Sequence, residues 1–298
     1  MPHAHPHVQA DEADPTHQGR LRGALLLTAA FFIAEVVGGI VSNSLALLAD
    51  AGHMFTDVGA LALSLFVAWF SRQPAAPEKT YGYLRWEILA AFLNGAVLLV
   101  VSVAIVWEAL GRLRTPEPVA GGVMLVVALG GLAVNAVAAW ILHPVHHQSL
   151  NTRGAYLHVI GDLLGSVGTV AAALVVRSTG WLPADAIASI LVSVLVIRSA
   201  WRLVRESVDV LLEATPAHIS LGAVRQHLLG VAGIESVHDL HVWTVSSGMV
   251  AMSAHAVVPE PKQSQQVLQV ALAEMKRLGI DHVTLQVERD RICEAPCP

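Results

Sequence analysis

Two histidine–aspartate pairs with the same internal spacing lie in apolar surroundings: His53 and Asp57 in LLADAGHMFTD, and His158 and Asp162 in AYLHVIGD. Residues four apart share one face of a helix, so each pair aims an imidazole and a carboxylate at one point. Two such helices side by side supply two nitrogens and two oxygens, a tetrahedral donor set that suits Zn2+. Four ionisable groups in lipid are costly without a ligand or a water path. A lone His or Asp in a span also serves helix packing as a hydrogen-bond partner; the matched repetition favours ligation, and with it a membrane metal transporter. Asp50, three residues before His53 and on the same face, is placed to orient a ligating imidazole or to line the access path.

The stretches carrying these pairs must then cross a bilayer, and the composition agrees. The chain is 54% apolar and only 14% charged, against roughly 25% charged in a soluble domain, so an integral membrane protein is expected. About 20 apolar residues cross the bilayer as a helix, and six stretches qualify: 22–41, 45–70, 86–110, 119–142, 156–178 and 183–204. The polar, His-bearing start has no apolar core of a cleavable signal peptide. After residue 206 no span remains. Ile219–Leu229 reads as helix, Val237–Val245 as strand, SSG as a turn, Met249–Val258 as strand, Ser264–Leu278 as helix and His282–Glu288 as strand. That α-β-β-α-β order predicts a ferredoxin-like α+β domain, its sheet open on one side. The expected organisation is a flexible tail at 1–20, a six-helix transmembrane domain at 21–206 and a cytosolic metal-binding and dimerisation domain at 207–298.

Orientation follows from Lys and Arg near the span ends. Arg20, Arg22, Arg72, Lys79, Arg85, Arg153, Arg202 and Arg205 fall on the side of the termini, and Arg112, Arg114 and Arg177 on the other. Both termini are therefore expected in the cytoplasm. The short loops point to a bacterial inner membrane. A net charge of −5 without a basic cluster leaves no footprint for nucleic acid. The two cysteines, Cys293 and Cys297, stand together at the end of the chain and cannot staple a fold. No HExxH occurs, and four protein ligands leave no place for a catalytic water, so an intramembrane metalloenzyme is not expected.

SLALLADAGHMFTD, YGYLRWEILAAFLN and LHVIGDLLGSVG resemble the patterns of the cation diffusion facilitator family, in its zinc-transporting branch, and the likeness runs over nearly the whole chain. The resemblance implies a homodimer that exchanges zinc for protons through His53, Asp57, His158 and Asp162. It aligns His238, His255 and Glu288 with cytosolic metal ligands, where bound Zn2+ would regulate. On strand alternation alone His238 and His241 face opposite ways, so one of them at most joins such a site. Arg85 and Glu213 stand where the family has a basic and an acidic residue that interlock beneath the membrane. His at position 53, where some relatives have Asp, resembles the zinc-preferring members. Comparable ligands in some eukaryotic members make a shared metal at His3, His5, His7, Cys293 and Cys297 a further expectation, beside the reading of a solvated tail. His143, His146 and His147 form a shortened His-rich loop. SRQPAAPEKTYGY lacks the His and Asp of a further site found in some relatives. The alternative to transport is a membrane metal sensor, with a structural quartet and a signalling soluble domain.

Overall fold

A computed structural model describes residues 15–55, 81–82, 84–142, 150–246 and 248–290, with side chains described from 29 in the first helix, up to 140 in the fourth, and from 160 in the fifth apart from 161. Two compact units divide the described residues, one within Met1–Ala62 and Asn94–Trp201, the other within Leu63–Leu93 and Arg202–Pro298.

The first unit is helical. Its elements are α1 (Pro15–Ser42), α2 (Leu45–Phe55) and the greater parts of α3 (Arg85–Arg114) and α6 (Pro183–Leu211), with α4 (Gly121–Leu142) and α5 (Leu150–Thr179) between them. Among the described residues α3, α4, α5 and α6 contain stretches long and apolar enough to cross a bilayer, while Ala29–Ser42 and Leu45–Phe55 are shorter apolar helices. The expected second span, 45–70, is described through Phe55. Lipid tails are as apolar as leucine, so helices in a membrane associate through close packing and hydrogen bonds rather than through hydrophobic gain. The α1–α4 contact uses small residues in that way: a Cβ at Gly38 would stand 2.6 Å from Val127 Cγ2, and one at Gly131 would stand 2.9 Å from Glu35 Oε1. Asn135 Nδ2 donates to Ser166 Oγ at 2.9 Å and ties α4 to α5. Large apolar side chains such as Val100, Trp107 and Trp140 point outward.

The turn between α1 and α2 is held from outside. Asn43 has φ 53°, a left-handed conformation that asparagine tolerates. Arg112 of α3 donates from Nη1 to Asn43 O at 2.7 Å and from Nη2 to Asn43 Oδ1 at 2.9 Å.

The second unit contains a three-stranded sheet in the order β1 (Ser236–Ser246), β2 (Met249–Val257), β3 (His282–Glu288). β1 and β2 pair antiparallel, and β2 and β3 pair parallel. A parallel pair needs a crossover, and α8 (Ser264–Arg277) supplies it; α7 (Leu221–Leu229) precedes the sheet. Ser220 caps α7 by accepting from Ala223 N. Val267, Ala271 and Met275, four residues apart, form the buried stripe of α8. They meet Val224 and Leu228 of α7 and Val242, Met252 and Ala254 of the strands in one core. Both helices therefore cover one face of the sheet, and the other face carries the polar residues. The element order matches the α-β-β-α-β expectation.

One strand expectation is overturned. A bulge lies between His238 and His241, so His238 pairs with His255 and His241 with Ser253: three steps along β1 match two along β2. The extra residue reverses the alternation. His238 and His241 consequently share the helix-free face instead of facing opposite ways. Asp239, inside the bulge, has φ 49°, a backbone state that Asp tolerates better than most residues.

Candidate metal centres

Within the apolar helices, α2 presents His53 and α5 presents Asp162, and His53 Nε2 lies 2.7 Å from Asp162 Oδ1. The two side chains are 25% and 15% exposed, so this contact is mostly removed from solvent. Asp50, one turn earlier on α2, is buried and sits in the electrostatic field of both His53 and Asp162. The histidine of one HxxxD pair and the aspartate of the other are thus neighbours across a helix–helix contact. Asp57 lies outside the described residues, as does the side chain of His158, although its backbone belongs to α5.

On the helix-free face of the C-terminal sheet a second constellation forms. His238 (β1) and His255 (β2) are directly opposite in register, and Val257, two residues on from His255, pairs with Glu288 of β3. The two imidazoles meet edge to face with centroids 5.2 Å apart. Glu288 Oε1 is 2.8 Å from His255 Nδ1, and its Oε2 is 3.4 Å from His238 Nε2. Ligand atoms of all three lie within 4.8 Å of one another. Among the described residues this is the one such group of three or more His, Cys, Asp or Glu side chains.

Burial makes the triad chemically demanding. Glu288 is 2% and His238 8% exposed. Both ring nitrogens of His238 and Nδ1 of His255 are buried without a hydrogen-bond partner; the 2.8 Å approach of Nδ1 to Glu288 has the distance but not the angle of a hydrogen bond. Buried polar atoms left unsatisfied cost on the order of 1–3 kcal/mol each. A divalent cation drawn to these lone pairs would satisfy them. Two imidazoles and a carboxylate are donors that suit zinc and leave one tetrahedral position for a further ligand.

Two residues absent from the sequence expectation border the triad. Gln286 Nε2 donates to Glu288 Oε1 at 2.9 Å and so orients the carboxylate; the i, i+2 rule of a strand puts both on one face and could have found it. Asp239 stands between two histidines, with Oδ1 2.9 Å from His241 Nε2 and Oδ2 3.7 Å from His255 Nε2. His241 stays outside the gathered group, engaged by Asp239. His282 opens β3 with its ring edge-on to Tyr81, centroids 5.6 Å apart.

Arg85 and Glu213 also meet: Nη2 donates to Oε1 at 2.8 Å, with side chains 43% and 59% exposed. Glu213 follows α6 with φ 59°. Of the tail and loop candidates, His3, His5, His7, His143, His146, His147, Cys293 and Cys297 lie outside the described residues.

Comparison with known proteins covers most of the chain. Residues 21–212 match the family described as cation efflux transmembrane domain, and residues 216–290 match that described as cation efflux protein, cytoplasmic domain. The chain is similar to the zinc transporter ZitB of Escherichia coli strain K12, 45% identical over 97% of this chain and 93% of that protein. It is 41% identical to a cadmium, cobalt and zinc/H(+)-K(+) antiporter of Bacillus subtilis, over 90% of this chain and 88% of the relative. With the metal cation efflux system protein CzcD of Cupriavidus metallidurans it shares 40% identity over 99% of this chain and 90% of the relative.

Proposed function

The chain belongs to the cation efflux family, a family of transporters and not of enzymes, and from that premise we propose that it moves Zn2+ out of the cytosol in exchange for protons. The observation that carries the reading is the 2.7 Å approach of His53 to Asp162 across two apolar helices. The names of the relatives, a zinc transporter and a cadmium, cobalt and zinc/H(+)-K(+) antiporter, support zinc as cargo and protons among the exchanged ions.

His53, Asp57, His158 and Asp162 form the transport site in this reading. Zinc is the substrate there. Imidazole binds metal only when neutral, so an arriving Zn2+ displaces protons from the ligands and arriving protons displace Zn2+. Antiport then follows from mutual exclusion at one site that faces the two sides of the membrane in turn. Asp50, behind His53, holds the imidazole or lines its access path.

The protein spans a bacterial inner membrane six times, with both termini in the cytoplasm, and works as a homodimer joined through the domain after α6. His238, His255 and Glu288 bind zinc in that domain and regulate transport without carrying the transported ion. The satisfaction of their orphaned ring nitrogens is the chemical reason for the assignment. Arg85 and Glu213 interlock where α3 begins and α6 ends.

The test is coupling. Vesicles containing only this protein, loaded with a pH-sensitive dye, should report proton movement opposite to zinc when zinc is added outside. Zinc entry with no matching proton movement would reject the exchange, and no zinc entry at all would leave the sensor reading in its place.

A further inference from the structure

Asp185, in the first turn of α6, is 1% exposed, and its carboxylate serves a different helix. Ser44 Oγ donates to Oδ1 at 2.5 Å, Leu45 N–H to Oδ2 at 2.9 Å and Ala46 N–H to Oδ1 at 3.2 Å. Leu47 N–H then donates to Ser44 Oγ at 3.2 Å. The first amides of a helix have no partner within it, and they carry the positive end of its dipole. Here a buried carboxylate from α6 takes two amides of α2 directly and a third through Ser44. Because Asp185 also lies at the N-terminus of its own helix, two positive helix ends converge on one negative charge.

The location gives this cap a functional meaning. α2 carries Asp50 and His53. α6 is the second arm of a hairpin whose first arm, α5, carries Asp162, the two being joined by residues 180–182. The α1–α2 turn is gripped on its other side by Arg112, so the start of α2 is fixed from α3 and from α6 together. His53 follows Leu45 by eight residues, about 12 Å of helix. Across two turns a helix transmits a shift or rotation at its first residue to the side chain at the far end.

Resting on the zinc-transport reading, we propose that Asp185 is a positioning residue for the metal: through the N-terminus of α2 it sets the height and rotation at which α2 presents Asp50 and His53 to Asp162. Metal coordination tolerates ligand displacements of only about 0.2 Å, so loss of the cap should loosen zinc binding and blur the choice among metals.

Asp185→Asn keeps the size of the side chain but removes the charge and turns an amide donor toward the α2 amides. The full-length detergent-solubilised protein, carrying His255→Ala to weaken the cytosolic triad, is dialysed against zinc or cadmium, and Kd is measured for each. Asp185→Asn should raise the zinc Kd about tenfold, the scale of losing a helix cap, and change the zinc-to-cadmium affinity ratio. Ser44→Ala, which leaves the carboxylate and both amide contacts, should move both quantities the same way by less. A purely architectural role would lower the yield of folded protein and leave Kd and ratio alone; a folded Asp185→Asn protein with both unchanged overturns the proposal. Should Asp185→Asn give no folded protein, Ser44→Ala decides in the same terms. Reconstituted vesicles of the unaltered chain separate the two readings: zinc bound in dialysis without zinc flux refutes transport and leaves the positioning role standing, whereas zinc flux with an unchanged variant Kd does the reverse.

Discussion

Replacing His255 by Ala isolates what the cytosolic triad does. The ring contributes one of three ligand atoms gathered within 4.8 Å, and without it Glu288 and His238 remain 3.4 Å apart as a two-donor remnant. A full structural zinc site is worth about 10–16 kcal/mol, so one of four ligands carries roughly 3 kcal/mol, and its loss weakens zinc about a hundredfold. At a zinc concentration a hundred times the parent Kd, binding stabilises the folded state by about 2.7 kcal/mol. The variant at the same concentration sits near its own Kd and retains about 0.4 kcal/mol. The difference of about 2.3 kcal/mol corresponds to a shift on the order of 10 °C in the melting temperature of a small domain. The assay is thermal unfolding of the full-length detergent-solubilised protein, with zinc and with a chelator, for parent and variant. Any zinc-dependent shift in the variant beyond that remnant comes from zinc bound elsewhere, the proposed transport site included. Zinc flux should fall by only a modest factor, because His53 and Asp162 are untouched. An equal zinc-dependent shift in parent and variant would refute the triad as a zinc site, and flux stopped as completely as by loss of Asp162 would refute its separation from the transport pathway.

Asp57→Ala should abolish zinc flux while leaving a folded dimer by size-exclusion chromatography; measurable flux removes Asp57 from the site. His53→Asp should widen acceptance toward cadmium, since a hard oxygen replaces the imidazole, and competition uptake with an unchanged zinc-to-cadmium ratio places selectivity elsewhere. Deleting residues 1–14 together with Cys293→Ser and Cys297→Ser should lower apparent zinc affinity modestly and leave flux measurable, whereas complete loss makes the tails part of the pathway. Arg85 and Glu213 are exposed, so a double-mutant cycle with Arg85→Ala and Glu213→Ala should give a coupling of about 1 kcal/mol or less in thermal unfolding, decreasing with salt.

Most of the architecture was legible because it rests on local periodicity. Apolar stretches of bilayer length marked α3, α4, α5 and α6, and alternation bounded by SSG and by the turn before His282 marked the three strands within a residue or so. The HxxxD repeat was legible for the same reason, being a helix-face pattern. What escaped was non-local or irregular. The bulge at Asp239 turns on one residue's left-handed backbone, which no alternation rule foresees, and it reversed the expected facing of His241. Asp185 looks in sequence like an ordinary acidic residue in the first turn of α6; its use by Ser44, Leu45 and Ala46 exists only once α2 and α6 are packed together. Arg112, counted as one of three basic residues on the far side, also holds Asn43 across 69 positions, a partnership carried by neither local sequence.

Zinc uptake into vesicles reconstituted with the unaltered protein alone, measured with and without an imposed pH gradient and beside Asp162→Ala, bears most directly on the central claim. Uptake that rises when the lumen is acidic, and that vanishes in Asp162→Ala although the variant reconstitutes equally well, is the predicted result. Uptake indifferent to the gradient, or as fast in Asp162→Ala as in the parent, would contradict proton-coupled transport through the His53–Asp162 site.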